Sequence, residues 1–276
     1  MKKQCKEICI LLTTIIMLLL AGCTQNPVDG VPEMEHGQSD LENVLSKGTL
    51  TIGITDFAPM DYYNEDGEEW TGFDAALAKD FAERLGVTLE FVEIDWNKKI
   101  VALEYGIVDC IWNGMTMTKE LQETISCSNP YLSNAQVIVL RRSEMGKYQT
   151  IDACQHLLFA VESGSMGETL LKERKYRYTA YATQMEALES VRNKKADAAV
   201  IDIIMAGYYT DNGQEFDELG FDLSLNDEKI CVGFRQESDL TDKVNKFLDA
   251  SYEDGRIQSL AERYGIENAV LDDTDR

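Results

Sequence analysis

The residues whose types and spacing best suit chemistry lie in one stretch, Asp109 to Tyr131, DCIWNGMTMTKELQETISCSNPY. It opens as a short apolar strand, breaks at Asn113-Gly114, and then presents hydroxyls on alternate positions, Thr116 and Thr118. A polar helical turn leads on to Asn-Pro-Tyr. A strand that stops at a glycine leaves backbone N–H and C=O groups without ladder partners, and the glycine lets another molecule come close to them. In an α/β sheet, small ligands sit at the carboxyl ends of strands, so hydrogen bonding to a small polar solute is the chemistry on offer. An ordinary strand-turn-helix packed in a core would use the same residues. A metal centre has little to draw on. Cys110, Cys127, Cys154 and Cys231 lie far apart without a CxxC pair, and His36 and His156 are the only histidines. No cofactor is expected. Cys110 and Cys231 fall in apolar strand-like runs and read as packed thiols, while spacing leaves a disulfide among the four open.

The elements that must position this stretch alternate along the chain. Ser39 can cap a helix over 40–47 that Gly48 stops. A strand over 50–54 follows, then a loop through Phe57-Ala58-Pro59-Met60 and a hairpin-like turn at 64–67. Phe73, Leu77, Phe81 and Leu85 recur every fourth residue, the mark of one buried helix face, and Gly86 ends that helix. A strand over 89–94 and a helix over 97–105 lead into the stretch itself. After an apolar strand over 135–141 the alternation begins afresh. It gives strands at 157–161, 179–182 and 198–201, with helices over 167–175, over 185–194 and through Tyr209. A strand over 230–234 brings the chain back, and helices over 240–252 and 257–264 finish it. Strands separated by helices of this length form parallel βαβ units. In each half a turn aspartate, Asp109 or Asp197, precedes a strand and is expected to bond local backbone.

Composition narrows the function. The chain has 276 residues, 44% of them hydrophobic, with 26 basic against 49 acidic side chains. Such a surface repels phosphate backbones, so nucleic acid is excluded as a partner. Residues 1–22 read as a signal peptide: Lys2, Lys3 and Lys6 precede a 13-residue apolar run, Ile8 to Leu20, too short to span a bilayer comfortably. Leu20-Ala21-Gly22-Cys23 resembles the bacterial lipobox, in which the cysteine is lipidated and becomes the new N-terminus; two acyl chains would then hold Cys23 at the membrane. Residues 23–38, with two prolines and two glycines, read as a flexible tether.

Six segments in order resemble the family 3 extracellular solute-binding proteins, the amino-acid-capturing subunits of ABC importers. They are GTLTIGIT at 48–55, WTGFDAALAKDFAERLGV at 70–87, the 109–131 stretch, VESGSMGE at 161–168, ADAAVIDIIMAGYY at 196–209 and ERYG at 262–265. The resemblance implies an α/β, two-lobed, periplasmic-binding-protein-like clamp of type 2. Each lobe would be a mostly parallel sheet flanked by helices, with lobe 1 over 39–136 plus 235–276, lobe 2 over 142–229, and hinge strands at 137–141 and 230–234. It further implies a monomeric, lipid-anchored, extracytoplasmic binding protein. Such a protein passes an amino acid or related amine-bearing solute to a membrane permease and catalyses nothing. Two rivals share the clamp: an enzyme of the cyclohexadienyl-dehydratase kind, using Asp202 or Glu162 as acid, and a sensory module acting on a membrane receptor.

Site residues carry over position by position. Phe57 and Trp96 match the aromatic walls that sandwich a ligand. Gly114 and Thr116 match the first lobe's contacts, and Gly164-Ser165 the second lobe's helix N-terminus, which favours a carboxylate. Asp202 matches the acid that pairs with an α-ammonium; as a structural residue it would instead cap the helix that follows. One departure stands out. Where the family has an arginine that grips the ligand carboxylate as a bidentate fork, this chain has Leu121. Met166 replaces a frequent threonine and Glu162 adds an acid, which biases the cleft toward a cationic or zwitterionic ligand. Either dependence on the ligand carboxylate is weak, or a substitute cation such as Lys98, Lys119 or Arg141 supplies the grip, or Leu121 marks a relative whose ligand is not an amino acid.

Overall fold

The computed structural model describes residues 39–64, 66–211, 214–272 and 274–275; residues 1–22, Cys23 and the segment through residue 38 lie outside the described residues. The Ser39 hydroxyl accepts the Glu42 N–H at 3.1 Å and so caps α1 (Asp40–Lys47), which left-handed Gly48 ends. Then come β1 (Thr49–Ile54) and a small ribbon of β2 (Tyr62–Tyr63) and β3 (Trp70–Thr71). The next helix, α2 (Phe73–Leu85), buries Phe73, Leu77 and Phe81 as their spacing predicts, and left-handed Gly86 stops it. β4 (Thr88–Glu93) is followed by a 3-10 turn, Trp96–Lys98, that runs straight into α3 (Lys99–Glu104). β5 (Cys110–Thr116), α4 (Lys119–Thr124), β6 (Ser126–Cys127) and β7 (Leu132–Asn134) complete the first pass.

The second pass begins with β8 (Gln136–Arg141) and the single turn α5 (Arg142–Met145). It continues through β9 (Leu158–Glu162), α6 (Met166–Arg174), β10 (Arg177–Tyr181), α7 (Gln184–Arg192), β11 (Ala198–Asp202), α8 (Ile203–Thr210) and β12 (Leu219–Ser224). The chain returns along β13 (Glu228–Phe234) and ends in α9 (Leu240–Glu253) and α10 (Arg256–Tyr264). β12 was not foreseen: in Leu219–Ser224 the two leading buried residues, Leu219 and Gly220, break the strict alternation that marks a strand.

Two sheets repeat one plan. Their strand orders are β4-β1-β5-β13-β6, with β7 also on β13, and β10-β9-β11-β8-β12. In each, the first three strands are parallel and the fourth is antiparallel. The fold is therefore the two-lobed α/β arrangement expected. Residues 137–141 lie inside β8 in the second sheet, and 230–234 inside β13 in the first. Both runs are apolar and ladder-paired on two sides, so the sheets absorb them whole. The chain passes between sheets at Ala135, the one residue separating β7 from β8, and at residues 225–227.

Asp109 and Asp197 do the same job in the two halves, and it is not the local one expected. Asp109 Oδ2 accepts the N–H of Thr51 at 2.7 Å and pairs with Lys47, while Asp197 Oδ2 accepts the N–H of Leu158 at 2.9 Å. Each aspartate thus ties the start of its sheet's third parallel strand to the first. Cys110, Cys127, Cys154 and Cys231 are free thiols. Among the described residues no helix is long and apolar enough to cross a membrane.

Candidate functional site

The carboxyl ends of parallel strands from both sheets converge on one cavity of about 310 Å³, at the lower end of the size range of small-molecule sites. Phe57 follows β1, Trp96 follows β4, Gly114 and Thr116 are in β5, Gly164-Ser165 follow β9, and Asp202 ends β11. All seven of these residues line the cavity, together with Leu121, Glu162, Gln136, Gln184 and Lys99.

β5 does not stop at Gly114. It runs on to Thr116 and bulges, so that three residues, 112–114, lie opposite the single Val232 of β13. The bulge spends the Gly114 N–H on Asp74 Oδ2 at 2.8 Å, turned away from any ligand. What the glycine supplies is space: a Cβ there would stand 2.3 Å from Phe57 Cε1, and φ is +56°. Asn113 locks the same corner, accepting from the Thr55 N–H and hydroxyl and donating to Thr55 O and Asp61 Oδ2. Thr116 donates its hydroxyl proton to Glu228 Oε2 at 2.8 Å, which leaves its lone pairs to accept from a ligand N–H.

In the second lobe Ser165 caps α6, its hydroxyl accepting the Glu168 N–H at 3.2 Å. Gly164 lies flat against the first lobe: a Cβ would meet Asn97 Cα at 2.7 Å. Asp202 occupies the cap position of α8 yet makes no capping bond, so the structural alternative for it is not realised. Instead its carboxylate faces three amides. Asn134 and Gln136 donate to Oδ1, and Gln184 to Oδ2. Asn134 and Gln136 also donate to Glu228, at 3.0 and 3.2 Å, which couples the two acids through shared donors at the crossing between sheets.

None of the three substitute cations named from the sequence reaches the cavity. Lys98 points outward to Asp95 at 2.7 Å, Lys119 is exposed, and Arg141 donates to Val191 O at 2.9 Å and pairs with Glu144. Leu121 does line the cavity, presenting hydrocarbon where a fork would be. Among the described residues, Lys99 is the only lysine or arginine that lines it. Its ammonium lies 4.6 Å from the Trp96 ring centroid and donates to Trp96 O at 3.2 Å and to Gly164 O at 3.0 Å, across the cleft. A signal for Lys99 was present in the sequence. It stands three residues after Trp96 in a helical turn, and that spacing puts it, not Lys98, on the indole's face.

Acid dominates this cavity. Burial, with Glu228 close by, raises Asp202 to about 7. Burial and then Asp202 raise Glu162 to about 8, against the pull of Lys99 and a Gln184 hydrogen bond. Burial lowers Lys99 to about 8, with Glu162 holding it up in part. Carboxyls that retain protons near neutrality mark a site that is shielded from water and sets acids close to one another. Among the described residues no cluster of histidine, cysteine, aspartate or glutamate is arranged to hold a metal ion.

Residues 50–267 match the Bacterial extracellular solute-binding proteins, family 3. The chain belongs to this family. The arginine-binding extracellular protein ArtP of Bacillus subtilis (strain 168) is 28% identical over 258 residues, spanning 90% of this chain and 96% of that protein. A mutant of ArgBP from T. maritima superimposes with a TM-score of 0.77 at 27% identity, covering 82% of this chain and 99% of that one. A Streptococcus pneumoniae ABC uptake transporter substrate-binding protein with bound histidine gives 0.77 at 28% identity, covering 85% and 99%. This solute-binding protein therefore shares its two-lobed frame with relatives of nearly equal length.

Proposed function

We propose that this solute-binding protein captures a cationic amino acid, of the arginine and lysine kind, in the cleft between its lobes. The observation that carries the reading is the acidic lining of the cavity: Glu162 and Asp202 line it, Glu228 stands behind Asp202, and Lys99 is the one basic side chain beside them among the described residues. A bound cation lets these carboxyls release their protons and pair with it; a zwitterion engages only one of them, and an acidic amino acid holds them protonated. Phe57 and Trp96 supply aromatic faces for its aliphatic stem and cation. Asp202 takes the α-ammonium, and the Thr116 lone pairs add an acceptor. Arginine binding by ArtP, and histidine in the Streptococcus pneumoniae structure, support the class.

Delivery and location belong to the same proposal. Cys23 is lipidated, residues 23–38 tether the body to the outer face of the membrane, and the monomer hands its solute to an ABC permease that reads the closed form. The lobes, taken as 39–134 plus 228–276 and 136–224, turn about the two crossings at Ala135 and 225–227. A dehydratase reading draws on the proton that Glu162 keeps to about 8. A cyclic carboxylic acid would, however, bring a further negative charge against Asp202. Incubation with prephenate-like acids yields no product if the cleft only binds.

Thermal melting of the protein against a panel of amino acids tests the main reading. L-arginine or L-lysine at about 100 times its dissociation constant should add roughly 2.7 kcal/mol of stability and raise the midpoint by several degrees. L-glutamate should leave the midpoint unmoved. A midpoint raised by glutamate, or by no cationic amino acid, overturns the proposal.

A further inference from the structure

Resting on that reading, we propose that Lys99 grips the α-carboxylate of the captured amino acid, taking the place of the guanidinium that Leu121 cannot supply. An ammonium has three N–H donors. Two are committed to neutral carbonyls, Trp96 O and Gly164 O, which leaves one for the cavity that Lys99 lines. Among the described residues Lys99 makes no ion pair within 4.0 Å, although Glu162 is near enough to influence its titration. A mostly buried cation with only neutral partners is short of an anion, and a ligand carboxylate would provide it.

Its position is also the right one. Gly164 immediately precedes Ser165, the cap of α6, so the ammonium stands beside that helix's first turn. Among the described residues, the Met166 and Gly167 N–H groups have no hydrogen-bond partner there. A carboxylate at that point would receive the free lysine N–H together with helix amides, from opposite sides of the cleft. Lys99 is contributed by the first lobe and the amides by the second, so the ligand's acid end would fasten the two together. Leu121 then packs against hydrocarbon of the ligand instead of its charge.

A competing account makes Lys99 a latch that only holds the lobes to each other through Gly164. Calorimetric titration with L-arginine and L-argininamide separates the two. The protein should prefer L-arginine by about 10- to 100-fold, the range of a charge-assisted hydrogen bond. Lys99→Met should bring the two ligands within about twofold of each other, chiefly by weakening L-arginine. Lys99→Arg should keep the preference, and Leu121→Arg introduced into the Lys99→Met protein should restore it. If Lys99→Met fails to fold, Lys99→Gln removes the charge while retaining N–H donors, and serves the same comparison. An equal loss for both ligands, or a preference that survives Lys99→Met, overturns the assignment while leaving the cationic-amino-acid reading intact. Failure of the unaltered protein to bind either ligand overturns both.

Discussion

Asp202 and Glu162 hold on to protons that ordinary carboxyls have lost by neutral pH, and two further acids in the first lobe do likewise. Burial raises Asp74 to about 7, and burial with Asp74 nearby pushes Asp61 well up. Each therefore binds a proton more tightly folded than unfolded. Stability from this source is complete below the ordinary carboxylate range and drains away as pH rises through the folded values near 7 and 8. Between about pH 5 and 7 the melting midpoint of the ligand-free protein should fall as pH rises. Asp202→Asn should reduce that slope without abolishing it, because Asp61 and Asp74 remain. A midpoint that climbs over the same range would show these carboxyls to be ionised in the fold. Thr116 belongs at this scale too. Its proton is committed to Glu228, so the hydroxyl can receive a ligand N–H but cannot donate to a ligand carboxylate, which fits an ammonium at Asp202.

Elements place these groups by close approach, and Gly164 shows how closely. Its φ is +76° and a Cβ would stand 2.7 Å from Asn97 Cα, on the other side of the cleft. Gly48 has φ +72° with nothing within 4 Å, so it shares the backbone conformation without the contact. Gly164→Ala and Gly48→Ala should each lower stability by about 1 kcal/mol through left-handed backbone strain. Only Gly164→Ala should also weaken ligand binding, by roughly tenfold or more, because it props the lobes apart. Equal binding by the two variants would contradict closure at that contact. Much of this scaffold was legible beforehand. The fourfold spacing of Phe73, Leu77 and Phe81, and the stops at Gly48 and Gly86, are local signals that packing left in place. Other features were not, because they depend on partners distant in sequence. The bulge at 112–114 exists through β13, Asp109 bonds Thr51 and not its own turn, and Lys99 becomes a cavity cation only once Gly164 folds over it. The family resemblance pointed to a cation substituting for the missing arginine, but charge alone could not choose among lysines whose orientation is set by helical phase.

At the scale of the molecule, two sheets of one design are joined by two chain crossings, and polar side chains flank both crossings. Asn134 and Gln136 flank Ala135, Glu228 opens β13 just after 225–227, and their hydrogen bonds reach Asp202 at the cleft. Ligand charge at Asp202 is thus felt by the segments about which the lobes would turn, through donors shared between two acids. Whether the cleft takes a cation is the premise on which site, closure and delivery all depend. Calorimetry comparing L-arginine with L-citrulline, its uncharged isostere, isolates that one property. The account predicts that L-citrulline binds at least about tenfold more weakly, as expected when a charge-assisted contact is exchanged for a neutral one. Equal affinity for the two would contradict it.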